Sequence, residues 1–549
     1  MTETIPVEPA MTETTPVKPA KRIKVKGDVL IGTRLDASLQ HHRQPRFDPT
    51  PGPRPYRGPR AKHIVPHSAG ASDPVAFVRR ELRPTLDKVV IRDDGLTTCH
   101  GIFGNPGMGK SHLMMRLLEA VLKLPLGPEE RFGGLILDPK GTLAEDVVEA
   151  AERANRLVDV QIVSTAELEA TLSPHRVQAG RTGGMNVLDA PLSETEIAVS
   201  LVLAAQSATK SASDPYWANA WKNIFMGVAE LLPVTGRKVT LANLVDATIR
   251  ENPATGLSLP SLLHRAKDKA RDLSAYERAD ILGAVDRVST HRKQKGETAA
   301  TINVLVATAL GEFQRSKYRA CYSSAEPDAK YVNMYDQITN DGKIYVVSLT
   351  KGEQAFAGIL VTLVKTLFQR TLLGRYERSR NGEGINFQRP VLLMCDEYQE
   401  VATELAGQAV GDASFFQQSR QVGCMGLLAT QSVSGMIHTL PGEGAEAAWN
   451  AIMATFGSMT FFQSSDPQTR AQAVAMAGEA DAHVVSTGAS YGSESPTFSI
   501  NRALETRNLV QESQIAQLTR GQALVVGSLD NLTPTCNFVK VPSPGAGPS

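Results

Sequence analysis

The amino-acid sequence predicts an α/β protein in which a long helical segment interrupts a mostly parallel sheet. Short apolar runs alternate with amphipathic helical patterns before residue 194 and again after residue 337. Such alternation is typical of parallel sheets that are covered by helices on both faces. We therefore divide the chain into a proline- and arginine-rich tail (1–73), a sheet domain in two parts (74–193 and 338–541), an all-α insertion (194–337) and a flexible tail (542–549).

The composition excludes several classes of protein. The 549 residues carry a formal net charge of +1 and five cysteines without a C-x-x-C pair. This charge argues against a uniformly basic nucleic-acid coat, and isolated cysteines predict reduced thiols instead of a disulfide or zinc framework. No apolar run reaches the roughly 18 residues that span a bilayer, and the N-terminus lacks a signal-peptide pattern. We expect a soluble, cytoplasmic protein.

The N-terminal segment has low apolar content. Its proline- and arginine-rich composition predicts a disordered tail, apart from a short strand at Val29–Gly32. Two interpretations of the tail remain open: a basic arm that contacts DNA or a partner, and a solvated tether. Folded structure is predicted from a helix at Val75–Leu82. The apolar runs Lys88–Arg92 and Leu96–Phe103, on either side of Asp93-Asp94-Gly95, predict a hairpin.

Residues Gly104–Ser111, GNPGMGKS, match the phosphate loop G-x-x-x-x-G-K-[ST], with an apolar strand before them and a helical pattern after them. The glycines allow backbone N–H groups to surround a polyphosphate, and the helix N-terminus adds a positive dipole end. Lys110 would reach the outer phosphates, and Ser111 would offer an oxygen to Mg²⁺. The predicted nucleotide-binding residues are Gly104, Asn105, Pro106, Gly107, Met108, Gly109, Lys110, Ser111 and His112.

A second element has the form of a Walker B strand. The apolar run Pro390–Glu397, PVLLMCDE, ends in two carboxylates. Asp396 would hold Mg²⁺, and Glu397 would orient and deprotonate the attacking water. Acids at strand ends also occur in solvated turns, so the interpretation depends on the pairing with the phosphate loop. Together the two elements predict that ATP and Mg²⁺ are bound.

Two further polar residues follow the same logic. Gln431 ends the next apolar run, CMGLLAT, where an uncharged group would sense the γ-phosphate or hold the water. Arg420 lies near the end of a helical pattern and could reach a neighbouring subunit's nucleotide as an arginine finger. The alternatives are a polar residue at a helix start for Gln431 and a surface charge for Arg420.

Several short motifs, taken in order, resemble those of the coupling-protein ATPases of conjugation and type IV secretion, within the HerA and FtsK translocase superfamily. They are DPKG (138–141), NVLD (186–189), DPYW (214–217), CDEYQE (395–400), SRQVG (419–423) and ATQS (429–432). The resemblance covers residues 74–541. It implies a RecA-like motor domain with an all-α domain inserted between the two Walker motifs, assembled as a homo-hexameric ring that moves DNA with ATP.

By this resemblance Lys110, Ser111, Asp396, Glu397 and Gln431 take the roles given above, and Arg420 lies where the family has its finger. Coupling proteins usually begin with two membrane helices, whereas this sequence begins with a basic tail. The resemblance therefore implies a soluble variant that docks onto a membrane partner at the inner membrane, or a free cytosolic motor. Secretion-channel or relaxosome proteins are the implied partners.

These observations favour an ATP-hydrolysing translocase for single- or double-stranded DNA that serves a conjugation-type system. One alternative is a platform that recruits protein substrates to a secretion channel and uses ATP as a switch. Another is a cytosolic DNA-processing motor in repair or defence. A small-molecule kinase is disfavoured because the sequence has no recognisable acceptor pocket or lid.

Overall fold

The structure is a computed structural model that describes residues 25, 28–34, 88–163, 185–209, 215–248, 256–293, 310–323, 333–349, 354–404, 411–440, 444–491, 496–530 and 534–541. The helix predicted at Val75–Leu82, the boundary at residue 73, most of the N-terminal tail and the tail 542–549 lie outside these residues. Within the N-terminal segment, the predicted short strand is present as β1 (Asp28–Arg34).

The first part of the sheet domain contains β2 (Lys88–Arg92), β3 (Cys99–Phe103), α1 (Lys110–Leu122), β4 (Gly133–Asp138), α2 (Ala144–Arg153) and β5 (Val160–Val163). The helical segment that follows contains α3 (Glu194–Thr209), α4 (Pro215–Val234), α5 (Leu241–Thr248), α6 (Leu259–Ala270), α7 (Ala275–Lys293), α8 (Ser316–Tyr322) and α9 (Met334–Asp336). Its described residues form no named strand, in agreement with the predicted all-α insertion.

The second part begins with β6 (Ile344–Ser348), α10 (Gln354–Arg380), β7 (Val391–Cys395), α11 (Asp412–Gln418), β8 (Cys424–Thr430) and α12 (Val433–Thr439). It continues with α13 (Ala445–Met453), β9 (Phe456–Phe462), α14 (Pro467–Ala477), β10 (Glu479–Tyr491), β11 (Pro496–Asn508), α15 (Glu512–Ala516), β12 (Gln522–Ser528) and β13 (Pro534–Lys540).

The described strands, apart from β10 and β11, form one sheet in the order β2-β1-β13-β12-β9-β3-β8-β7-β4-β6-β5. Every pair from β9 to β5 is parallel, whereas β12, β13, β1 and β2 add an antiparallel extension. The helical insertion enters between β5 and β6, which are neighbours at the parallel edge. The sheet is therefore mostly parallel, as the alternating pattern predicts.

Both faces of the parallel strands are buried. Ile136, Leu392 and Met394 lie in one apolar cluster with α1 and α2, while their neighbours Leu135 and Leu393 lie in another with α3 and α10. Because successive side chains of a strand point to opposite faces, continuous apolar strands require a layer on each side. Helix α3 packs against α10, and this contact joins the helical insertion to the sheet.

The hairpin predicted for β2 and β3 is wrong. Residues Asp93–Thr97 form a 3-10 helix, so the chain does not reverse at Asp93-Asp94-Gly95. Strand β2 instead pairs with β1, and β3 enters the sheet centre between β8 and β9. A turn signal specifies a change of direction only locally, whereas pairing on both sides of β3 buries its five residues completely.

A buried ion pair lies where α10, α11 and the segment after β7 meet. The Lys365 ammonium lies 2.5 Å from the Asp412 carboxylate, and both side chains are fully buried. Asp412 also accepts hydrogen bonds from Gln369, from the Tyr398 hydroxyl and from the backbone and side chain of Thr403. A buried carboxylate is stable only when such partners replace its lost hydration.

We predict that Lys365→Met lowers the free energy of unfolding by about 3–5 kcal/mol, because the Asp412 charge stays buried without its cation. The measurement is the midpoint of urea unfolding. The matched control is Lys238→Met, because Lys238 pairs with Asp189 at 3.1 Å and both side chains are partly exposed. That change should cost less than about 1 kcal/mol. Equal losses for the two variants would contradict the prediction.

Candidate functional site

The candidate site lies at the carboxyl ends of four strands of the parallel sheet. Strands β3, β8, β7 and β4 are consecutive neighbours, and all of them run in the same direction. The carboxyl ends of parallel strands meet at one edge, where loops converge on a ligand in open α/β sheets. The loops after these four strands contain the phosphate-loop motif, the paired acids, Gln431 and the DPKG motif.

The phosphate loop has the backbone that its glycines permit. Gly104, Gly107 and Gly109 have φ angles of 150°, 78° and 120°, which other residues rarely adopt. A Cβ at Gly104 would lie 2.6 Å from the Cβ of Phe462, so the loop also approaches β9 closely. Gly109 is the N-cap of α1. The loop therefore leads backbone N–H groups directly into a helix N-terminus, an arrangement suited to anions.

The other predicted nucleotide-binding residues lie on or beside this loop. Asn105 contacts Gln463 after β9 through its backbone and its side chain, each at 2.9 Å. Pro106 is exposed, whereas Met108 and His112 are half-buried. The Met108 carbonyl accepts a hydrogen bond from Gly521 N at 3.0 Å. The loop is thus held from the β9 end and from the turn before β12.

Lys110 is buried and bends back over the loop. Its Nζ donates hydrogen bonds to the carbonyls of Gly104 at 2.6 Å and Asn105 at 3.2 Å. Burial lowers the pKa of Lys110, and the nearby carboxylates of Glu397 and Asp396 offset part of that effect. The two acids that end the predicted Walker B run therefore act electrostatically on Lys110.

Ser111 and Asp396, 285 positions apart in sequence, are in direct contact. The Ser111 hydroxyl donates a hydrogen bond of 2.7 Å to Asp396 Oδ2. Burial raises the pKa of Asp396, and the adjacent Glu397 carboxylate raises it further, although the bond from Ser111 opposes them. The Ser111 and Asp396 oxygens could together hold Mg²⁺, which prefers one or two protein oxygens plus water and substrate phosphates.

Glu397 has an unusual backbone conformation, and three donors surround its side-chain carboxylate. Its φ and ψ are 60° and 50°, the left-handed region that costs a non-glycine residue about 1–2 kcal/mol. Lys140 Nζ lies 2.5 Å from Oε1, Gln431 donates to both oxygens at 3.0 Å, and Gln399 donates to Oε2. Burial raises the pKa of Glu397, but these hydrogen bonds outweigh it and the pKa is lowered.

Arg420 lies away from this cluster. It precedes β8 and forms an ion pair with Asp94, which precedes β3, whereas Gln431 follows β8. Since β8 spans seven residues, roughly 20 Å of strand separates the two ends. The guanidinium is partly exposed and lies on the side of the amino ends of β8 and β3. Arg420 therefore does not belong to the site of its own chain.

Sequence reasoning assigned no role to Lys140, Gln399, Gln463 or Asp138. Asp138 is buried at the end of β4 and accepts hydrogen bonds from Thr142 N and Leu143 N. DPKG was used in the sequence analysis only as one of the motifs that carry the family resemblance, and the motif did not indicate that its loop faces Glu397. Gln463 follows β9, a strand that the sequence analysis did not identify.

Comparison with known proteins supports the fold and its family. Residues 279–539 match the family model described as the type IV secretion-system coupling protein DNA-binding domain. No curated protein matches the chain at a significant level. Among the described residues, no helix combines the length and apolar character that a membrane span requires.

Solved structures of the coupling protein TrwB are similar to the chain. The unbound bacterial conjugative coupling protein matches with a TM-score of 0.51 and 15% identity, over 86% of this chain and 93% of that one. The complex of plasmid coupling protein TrwB with ADP and Mg²⁺ matches with a TM-score of 0.53 and 14% identity, over 85% and 91%. This likeness confirms the predicted RecA-like fold with an all-α insertion. The motif resemblance is likewise confirmed, because the family model of these coupling proteins matches residues 279–539.

Proposed function

We propose that the chain binds Mg²⁺–ATP at the carboxyl edge of its parallel sheet and hydrolyses it to move DNA. The observation that carries this proposal is the contact between Ser111 and Asp396, because it joins the phosphate loop to the paired acids. A similar structure, TrwB, is described in complex with ADP and Mg²⁺. The glycine loop and the two oxygens provide the same chemistry here.

Each side chain has a distinct task in this proposal. The loop N–H groups and Lys110 bind the phosphates. To do so, the Lys110 ammonium gives up its hydrogen bonds to the loop carbonyls and contacts the phosphates instead. Glu397 accepts a proton from the attacking water, and Gln431 orients both the Glu397 carboxylate and that water. Ser111 and Asp396 would hold Mg²⁺, which neutralises charge that develops on the phosphate oxygens.

The matched family supports DNA as the substrate in this proposal. The matched family is a DNA-binding domain of coupling proteins, and the match covers the last helices of the insertion and the second part of the sheet domain. We propose that copies of the chain form a hexameric ring around single- or double-stranded DNA. The proposed partners of this ring are secretion-channel or relaxosome proteins and a membrane protein that docks the ring at the inner membrane.

We keep the predicted division of the chain in this proposal. The motor domain comprises residues 74–193 and 338–541, and the insertion comprises residues 194–337. The tail 1–73 contributes at least β1 to the antiparallel extension of the sheet.

The position of Arg420 supports an assembled active form. Its guanidinium lies at the sheet edge opposite the phosphate loop, so it can complete a site only on an adjacent copy. In this arrangement Asp94 holds the guanidinium until the neighbouring subunit presents its nucleotide.

We expect purified protein to hydrolyse ATP faster when DNA is added, and Lys110→Ala to abolish that activity by removing the phosphate-binding cation. The measurement is phosphate release with and without DNA. Lys123→Ala is the matched control, because Lys123 caps the far end of the same helix and is partly exposed. Hydrolysis that DNA does not change, without strand movement, would contradict the translocase and favour the recruitment platform.

A mixing experiment tests the role of Arg420. Arg420→Ala alone should reduce hydrolysis by about 1,000-fold, as for other arginine fingers, while nucleotide binding is retained. Mixing this variant with Lys110→Ala subunits should restore part of the activity, because one subunit supplies the loop and its neighbour the arginine. The control is a mixture of Arg420→Ala subunits with subunits that carry both substitutions, because no subunit in it supplies the arginine. If mixing restores nothing while both variants assemble, Arg420 does not act between subunits.

A further inference from the structure

Lys140 contacts Glu397, the proposed catalytic base, and this contact must break during the reaction. Glu397 has donors on both carboxylate oxygens, from Lys140, Gln431 and Gln399. A carboxylate accepts a proton from water only when one of its oxygens is available to that water. At least one donor must therefore leave before hydrolysis, and Lys140 is the charged one.

The protein fixes the backbone of Lys140 but leaves its side chain free to turn. The buried Asp138 carboxylate accepts hydrogen bonds from Thr142 N at 3.1 Å, Leu143 N at 2.8 Å and the Ser348 hydroxyl at 2.7 Å. Gly141, with a φ of 68°, completes the turn. In contrast, the Lys140 side chain is 40% exposed, while Glu397 is only 10% exposed. The cation is thus aimed at the site on a rigid turn and can move within it.

The charges around Lys140 also define what it can bind. The Lys110 ammonium and the Lys140 ammonium act on each other electrostatically, and both act on the Glu397 carboxylate. A terminal phosphate beside Lys110 would bring two or more negative charges toward Glu397. Without a cation between them, phosphate and carboxylate would repel each other strongly in this partly buried place. Lys140 is positioned to separate them.

We infer that Lys140 is a catalytic residue that senses the terminal phosphate of ATP. In the free site it binds Glu397, and when ATP is bound it turns to the γ-phosphate and releases one carboxylate oxygen. Water then attacks the γ-phosphorus, the bond to the bridging oxygen of ADP breaks, and the proton of the water passes to Glu397. With ADP the exchange does not occur, and Glu397 stays covered. The inference rests on the proposed hydrolysis of ATP.

The test is Lys140→Met, which keeps most of the length of the unbranched side chain and removes its charge. Calorimetry should give about tenfold weaker binding of a non-hydrolysable Mg²⁺–ATP analogue and unchanged binding of Mg²⁺–ADP, because only the triphosphate reaches Lys140. The kcat of hydrolysis should fall about 100-fold. Lys140→Arg keeps the cation and should recover most of the preference for triphosphate.

Lys238→Met is the control, since it removes a partly exposed lysine paired with a carboxylate outside the site. It should behave as the unmodified protein in every assay. The inference is overturned if Lys140→Met keeps the ratio of triphosphate to diphosphate affinity, or if its kcat rises, since Lys140 would then only restrain Glu397. If the unmodified protein itself fails to hydrolyse ATP, the proposed function fails instead, and the two affinities still report on Lys140 separately.

Discussion

The parallel pairing of β3, β8, β7 and β4 is the constraint on which the rest of the site depends. Each of these strands is buried on both faces, so its register is specified by the two apolar clusters that cover the sheet. Their carboxyl ends must then lie at one edge, and four segments that are distant in sequence meet there. The contact between Ser111 and Asp396 is a direct consequence of this pairing.

A second constraint connects that edge to the remainder of the molecule. The buried Asp412 receives hydrogen bonds from α10 and from the segment that follows Glu397, and it is itself the first residue of α11. Helix α10 packs against α3 of the helical insertion, and α11 leads toward Arg420. One polar cluster thus joins the segment after Glu397, the helix that packs against the insertion and the helix that precedes Arg420.

The parts of the structure that could be predicted are those with a local physical signal. GNPGMGKS specifies its own backbone through glycine, and the apolar run before Asp396 has the length that is typical of a buried strand. The strands β9 to β13 were not recognised. Among them β10 and β11 pair only with each other among the described residues, and Ile500 and Leu504 remain exposed, so their pattern does not resemble a core strand. The prediction of a β2–β3 hairpin was wrong because a turn sequence cannot exclude that each strand pairs with another partner, as β2 does with β1.

By itself the sequence determined which residues could bind phosphate and magnesium, since that chemistry depends on residue type and on spacing within one loop or one strand end. Only the tertiary structure decided which side chains from other segments reach Glu397, because Lys140 follows β4 and Gln431 follows β8. It also decided that Arg420 faces Asp94 at the opposite edge of the sheet. Contacts between distant segments follow from strand order, and strand order is settled by burial of both sheet faces together, not by any one stretch of chain.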